Sequence, residues 1–326
     1  MQTRHFHLSL FRSLALIAAA FLAAVTCVQA ENYPDRRITL VVGYAAGSGA
    51  DILARYYAAK LSDETGQTVI IENKPGANGM IGAQSVKQAK PDGYTLLFSP
   101  SAGMAGGKFL YANLPYDPQK DFIIVAPLLD VAFALAVGAN SPAKSVAELT
   151  ALLKSKPGAR YGTSNSTGIA ATELYKTIMD FKAQQVAYKT TADALGDLAD
   201  GTLDFMFVDG VFALSQQKAG KVRMLATTSA KIEGAPEVPT MREAGVGSYG
   251  FAVWWMIMAP AGTPPDVVGK LNAVFTKIAD MPETREFLSK TASVPLKGTP
   301  AEMVVKMAKD IETWADIAKT GNIVPQ

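Results

Sequence analysis

Ile38-Thr39-Leu40-Val41-Val42-Gly43-Tyr44-Ala45-Ala46-Gly47-Ser48-Gly49-Ala50-Asp51 is the stretch that decides the fold. Its first half is rich in β-branched residues with no charge, the composition of a buried strand. Its second half is a glycine-rich turn. Beyond Asp51 the apolar residues Ile52, Leu53, Tyr56, Tyr57 and Leu61 recur at helical spacing until Gly66, and Val69 to Glu72 is extended again. Strand, helix and strand in that order predict a parallel pair joined by a right-handed crossover.

The same alternation continues outward. Tyr94–Ser99, Phe122–Pro127, Ala132–Gly138 and Phe205–Val208 read as further strands with helices between them. Ser145 with Glu148 predicts a capping box, and Thr299-Pro300-Ala301-Glu302 and Thr263-Pro264-Pro265-Asp266 are helix entries with proline in the first turn. The fold class is therefore α/β, with sheets covered on both faces. A length of 326 residues accommodates two lobes. Ala132–Asn140 and Phe251–Pro260 are the candidate crossings between them. If the chain crosses at both, Glu31–Val131 and Phe251–Gln326 form one discontinuous lobe and residues 132–250 the other. A single large sheet is the alternative.

Met1 to Arg12 is basic, Leu14 to Val25 is a continuous apolar run, and Val28-Gln29-Ala30 supplies small residues at a cleavage site. The apolar run is shorter than the roughly 20 residues that span a bilayer. An export signal cleaved after Ala30 is expected, and so is a periplasmic location; lipidation of Cys27 is the minor alternative. The formal charge of +2 loses Arg4 and Arg12 with this leader, leaving 29 basic and 29 acidic residues. A neutral body has no field for steering nucleic acid. His5, His7 and Cys27, the chain's only histidines and cysteine, fall in the leader too. The rest has no imidazole or thiol for a Ser/His/Asp triad, a cysteine nucleophile, a zinc site or a disulfide. An enzyme would need a carboxylate pair or a perturbed lysine among Asp51, Asp209 and Lys189, and no helix carries a compelling spacing for either.

Two turns have the chemistry of anion cradles. Gly47, Ser48 and Gly49 precede a helix start, where unpaired amides and the macrodipole favour negative charge. The motif lacks the third glycine of a dinucleotide fingerprint and the lysine of a P-loop. Asp51 reads as a helix-start residue. The turn Tyr161-Gly162-Thr163-Ser164-Asn165-Ser166-Thr167-Gly168 precedes a helix over Ile169–Met179 and reads either as a second cradle or as a plain surface loop. Facing one another, the two would suit a small carboxylate through charge-assisted bonds. Ser99 and Ser101, at another strand end, are placed beside the same crevice, where open α/β sheets bind ligands. Asp209 follows an apolar strand and is either a cleft residue or a turn aspartate. Tyr188 and Lys189 follow another extended run, with Lys189 either an anion partner or a solvated charge. Trp254 and Trp255 are adjacent strand positions that must face opposite sides.

Taken together, Tyr33-Pro34, Ile38 to Gly43, Gly47 with Asp51 to Arg55, and Val69-Ile-Ile-Glu-Asn-Lys-Pro-Gly-Ala-Asn-Gly79 resemble the substrate-binding receptors of tripartite tricarboxylate transporters, the Bug family. Pro91 to Leu96, Leu114 to Asp117, Lys120 to Phe122, Ser145 to Leu149, Val186 to Lys189, Val238 to Thr240 and Ala259 to Pro264 extend the likeness over nearly all of the chain beyond the leader. The resemblance implies a two-lobed fold like the type II periplasmic binding proteins, no cofactor, no metal and no catalysis. It implies an exported receptor, expected as a monomer, that closes on a small organic acid and delivers it to membrane transporter subunits; a sensory receptor that presents the acid to a signalling partner is the alternative. It implies that Tyr44, Ala46, Gly47, Ser48 and Gly49 in the first loop, with Thr163, Ser164, Asn165, Ser166 and Thr167 in the second, grip carboxylates, with Ser101 and Asp209 at the border. Asp51, Ser99 and Tyr188 complete the expected ligand-binding set. Where this family's first loop has an aromatic residue followed by two prolines, this chain has Tyr44-Ala45-Ala46. The small alanines leave room for a bulkier acid, an aromatic one included.

Overall fold

The computed structural model describes residues 33–229, 231–247, 249, 251–320, 323 and 325. The expected leader, with Cys27, lies outside them. β1 (Ile38–Val42) passes through the glycine-rich turn into α1 (Gly49–Thr65) and returns as β2 (Val69–Asn73). The two strands pair in parallel, Ile38 opposite Val69 and Val42 opposite Asn73. α1 stops where Gly66 turns left-handed at φ 67° and its amide bonds Ser62 O, a conformation that costs glycine little.

α2 (Met80–Lys87) leads to β3 (Thr95–Pro100), which joins the other side of β1, again in parallel. α3 (Ser101–Leu110) follows, then β4 (Phe122–Val131). β4 runs past the expected end at Pro127. A bulge opposite Trp255 and Met256 takes in this proline, which has no N–H to give the ladder.

The chain then passes directly into a second sheet. Its strands are β5 (Phe133–Gly138), β6 (Arg160–Thr163), β7 (Gln184–Ala187), β8 (Phe205–Asp209) and β9 (Val222–Thr227). Its helices are α4 (Val146–Ser155), α5 (Ser166–Met179), α6 (Leu195–Ala199) and α7 (Gly210–Lys218). β10 (Val253–Pro260) re-enters the first sheet antiparallel between β3 and β4, followed by α8 (Pro265–Asp280), α9 (Pro282–Lys290), β11 (Ser293–Pro295) and α10 (Pro300–Thr320). The spatial orders are β11-β4-β10-β3-β1-β2 and β7-β6-β8-β5-β9. Both sheets are mixed, because strands that return from one sheet to the other arrive in the opposite direction.

Leu40, Phe98, Ile257 and Phe275 lie in the core that α1 and α8 form with one face of the first sheet. A second cluster includes Met104, Trp254, Trp314, Tyr175 and Phe207, from α3, β10, α10, α5 and β8. Each such side chain contributes about 1.5–3 kcal/mol on burial. Trp254 and Trp255 divide between the two clusters, as the strand period of two requires; Trp254 Nε1 donates to Asp310 Oδ2 at 2.6 Å. Ser145 accepts from the Glu148 amide, while Glu148 reaches back to the Lys144 amide, one residue earlier than a standard box. Thr299 and Glu302 bond reciprocally. Among the described residues no helix is long and apolar enough to cross a membrane.

Candidate ligand cleft

Five strands of the two sheets, β1, β2, β3, β6 and β8, each run into a helix at one shared opening. Ser48 caps α1, Gly79 precedes α2, Pro100 precedes α3, Asn165 caps α5 and Asp209 caps α7. All five residues line a cavity of about 600 Å³, within the usual range for small-molecule sites. Carboxyl ends of strands are where open α/β sheets hold ligands, and each helix start carries partial positive charge.

The caps leave amides for a guest. Ser48 Oγ accepts from Asp51 N at 3.3 Å, Asn165 Oδ1 from Gly168 N at 2.9 Å, and Asp209 Oδ1 from Phe212 N at 2.9 Å. The amides of Gly49, Ala50, Thr167 and Val211 have no protein partner among the described residues, and these four residues line the cavity. Gly49 and Ala50 come from the first sheet's side, Thr167 and Val211 from the second's. The closeness of the two sides shows at Gly49, where a Cβ would stand 3.5 Å from Asp209 Oδ1.

The back wall is apolar. Val131 and Phe133 flank the passage from β4 into β5, and Val253 and Trp255 start β10. The Trp255 ring stacks on Phe98 at 4.7 Å and meets Tyr44 at 5.7 Å. Burial raises the Tyr44 phenol well above its ordinary range, so this wall is neutral. Lys189 and Asp209 are the lysine and the carboxylate of the lining. Lys189 is exposed at the rim with no ion pair among the described residues. Burial pushes the Asp209 carboxyl up, against amide bonds that pull it down.

The structure gathers Tyr44, Ser48, Gly49, Ser164, Asn165, Thr167, Tyr188 and Asp209 from the expected set around this cavity. It places the others elsewhere. Ala46 and Gly47 are exposed on the outer arc of the loop. Asp51 is buried beneath it, where its carboxylate accepts from Gly47 N at 2.8 Å, Arg55 Nε at 2.9 Å and Asn73 Nδ2 at 2.9 Å. Burial would raise its pKa, but these bonds outweigh it and hold the group below the usual range. Asp51 braces the loop. Ser101, the first residue of α3, accepts from Trp254 N of β10 at 3.3 Å, and Ser99 is buried against the Pro100 carbonyl; Pro100 alone of that trio reaches the lining. Thr163 lines a neighbouring chamber, and Ser166 is buried at the start of α5, three residues before the expected helix start at Ile169. Tyr188 lines the cavity with its hydroxyl donating to Asp197 Oδ2.

Residues 75–79, together with Tyr111 and the apolar back wall, line the cavity without having been read as site residues. Pro75-Gly76-Ala77-Asn78-Gly79 lies between a strand and a helix, as the other two cradles do, and that pattern would have found it. Four successive residues there, Gly76 to Gly79, take positive φ. For Ala77 and Asn78 that is a costly conformation, of the kind retained where surrounding structure enforces it.

Residues 53–323 match the model of the tripartite tricarboxylate transporter family receptor. Protein BugT of Bordetella pertussis is 31% identical over 93% of this chain and 94% of its own. Among solved structures, Rpa4515 of R. palustris with adipate is 34% identical at a TM-score of 0.84, covering 90% of this chain and 100% of that one. MatC from Rhodopseudomonas palustris with bound malate is 29% identical at 0.78, covering 87% and 99%.

Proposed function

Since the chain belongs to the tripartite tricarboxylate transporter receptor family, whose members are periplasmic solute-binding receptors rather than enzymes, we propose that it holds a small carboxylate between its two lobes and hands it to membrane transporter subunits. The observation that carries this reading is the convergence of five helix N-termini, with unpaired amides from both sides, on one cavity. Amide bonds to an ionised oxygen are roughly twice as strong as neutral ones. Lys189 adds a positive charge at the rim. The adipate and malate named for two structural relatives agree with that chemistry.

In this reading residues 31–131 with 251–326 form one lobe and 132–250 the other. The ligand-binding set is Tyr44, Ser48, Gly49, Ser164, Asn165, Thr167, Tyr188 and Asp209, joined by the Asn78 loop and Lys189. The receptor is exported after cleavage at Ala30 and works as a monomer. Thermal denaturation against a panel of mono-, di- and aromatic carboxylates tests the ligand class. A matching acid at about one hundred times its dissociation constant adds ~2.7 kcal/mol, a rise of several degrees in Tm. Neutral alcohols or amides of the same skeleton raise it less. A panel in which no acid raises Tm refutes the reading.

A further inference from the structure

A second cavity, of about 490 Å³, opens beside the first. Asn78, Tyr111, Ser164, Asn165 and Tyr188 line both. Three of these shared residues are tied by side-chain bonds: Asn78 Nδ2 donates to the Tyr111 hydroxyl at 2.5 Å, and Ser164 Oγ pairs at 2.8 Å with Thr191 Oγ1, on the first cavity's side. Such side-chain tips move by rotamer changes, without refolding of backbone.

The far chamber differs from the first in its electrostatics. Its acid and its base are already matched. Lys176 Nζ lies 2.7 and 2.9 Å from the two carboxylate oxygens of Glu173, and the Tyr161 hydroxyl donates to the same carboxylate at 2.6 Å. Glu173 is 5% exposed. A second carboxylate entering here would be desolvated beside a buried acid whose charge is already compensated, an arrangement that costs more than it returns. Neutral hydrogen-bonding groups remain open. Gln185 has no partner for its amide nitrogen among the described residues, and the Thr163 hydroxyl, which donates to Asn165 O, keeps its lone pairs.

We propose that this chamber is a second ligand subsite, which receives an uncharged hydrogen-bonding tail, an amide or a hydroxyl, from an acid whose carboxylate rests on the helix N-termini of the first cavity. The inference depends on the carboxylate reading above and narrows it to acids with a polar, neutral far end. Chain length lets such a ligand pass the Asn78–Tyr111 pair.

Isothermal titration of the purified receptor with hexanoate, adipate and the monoamide of adipate separates the possibilities, with succinate and benzoate as short acids. The monoamide is expected to bind about tenfold more tightly than hexanoate or adipate, ~1.4 kcal/mol. Gln185→Leu, at an exposed position of the edge strand β7, removes most of the monoamide's gain over hexanoate. Adipate binding as tightly as its monoamide, or a gain that survives Gln185→Leu, overturns the subsite. Binding of succinate or benzoate without any of the three longer probes overturns it too, while the carboxylate reading stands. Failure of every acid removes both.

Discussion

Asp209 meets two demands at once. Its Oδ1 caps α7 by accepting from Phe212 N, which either protonation state allows, and its side chain borders the cavity where an anion would sit. Burial raises its pKa, so the folded protein holds this proton more tightly than the unfolded chain does. The stability this group contributes is therefore complete below the unfolded value of about 3.9 and is lost as pH climbs through the raised folded value. A dicarboxylate without an amine meets a hydrogen-bond donor while Asp209 is protonated and a repelling charge once it ionises, so across that titration its affinity falls relative to that of the Asp209→Asn variant. Asp209→Asn keeps the cap, since Asn and Asp are equivalent there. The variant is expected to bind such an acid about three- to tenfold more tightly at neutral pH, on the scale of one lost repulsion in a partly screened site, with a flatter pH profile by titration calorimetry. An unchanged slope would show that Asp209 does not sense the ligand. The neighbourhood of Asp209 was legible because an aspartate ending an apolar strand is exposed by the strand's own termination. Asp51 and Ser101 were not. Their partners, Asn73 and Trp254, lie 22 and 153 residues away along the chain, and local sequence carries no trace of a bond that only tertiary packing creates.

At the level of elements, the strand–turn–helix unit recurs five times and supplies every helix start at the cleft. Its tolerances are tight at Gly43, the last residue before the first turn. A Cβ there would approach Gly79 Cα to 2.5 Å, backbone against backbone, with no flexible side chain to yield. Gly43→Ala is therefore expected to destabilise the protein by about 1–3 kcal/mol, the cost of overpacking. It should also weaken acid binding, because the Gly79 loop it displaces lines the cavity. Chemical denaturation with and without ligand measures both; a wild-type midpoint and affinity would show that the two turns are not packed as described. The first two cradles were readable from glycine and hydroxyl composition between an apolar run and a helical pattern. The extra length of β4 was not, since Pro127 normally argues against a strand interior and only the bulge in β4 opposite β10 accommodates it. The third cradle, Pro75 to Gly79, carried the same signal as the others and lay unread as a functional loop.

Across the whole molecule, the two sheets exchange the chain beside the cavity itself. Val131, Phe133 and Val253 lie where strands pass between them and also make the apolar back wall. The chain crossings and the cavity floor thus share residues, so in the proposed reading a ligand seated on that floor bears directly on how far the lobes close. A Cβ built on Gly49 would stand 3.5 Å from Asp209 Oδ1, so the two sides of the cavity lie close together at this point. α10 packs against α3 on one side and α5 on the other, spanning the two lobes behind the cleft. Chain length and the order of strands left two lobes or one large sheet open and the family resemblance implied two, whereas the distribution of charge between the two chambers depends on pairs such as Glu173 and Lys176 that sequence presents only as an ordinary helical neighbour pair.

A crystal structure of the receptor with its bound acid decides where the carboxylate sits. Carboxylate oxygens are expected within about 3 Å of the Gly49 or Ala50 amides on one side and the Thr167 or Val211 amides on the other. A carboxylate bound outside the cavity, or held by one lobe alone with those amides turned to solvent, would contradict that placement.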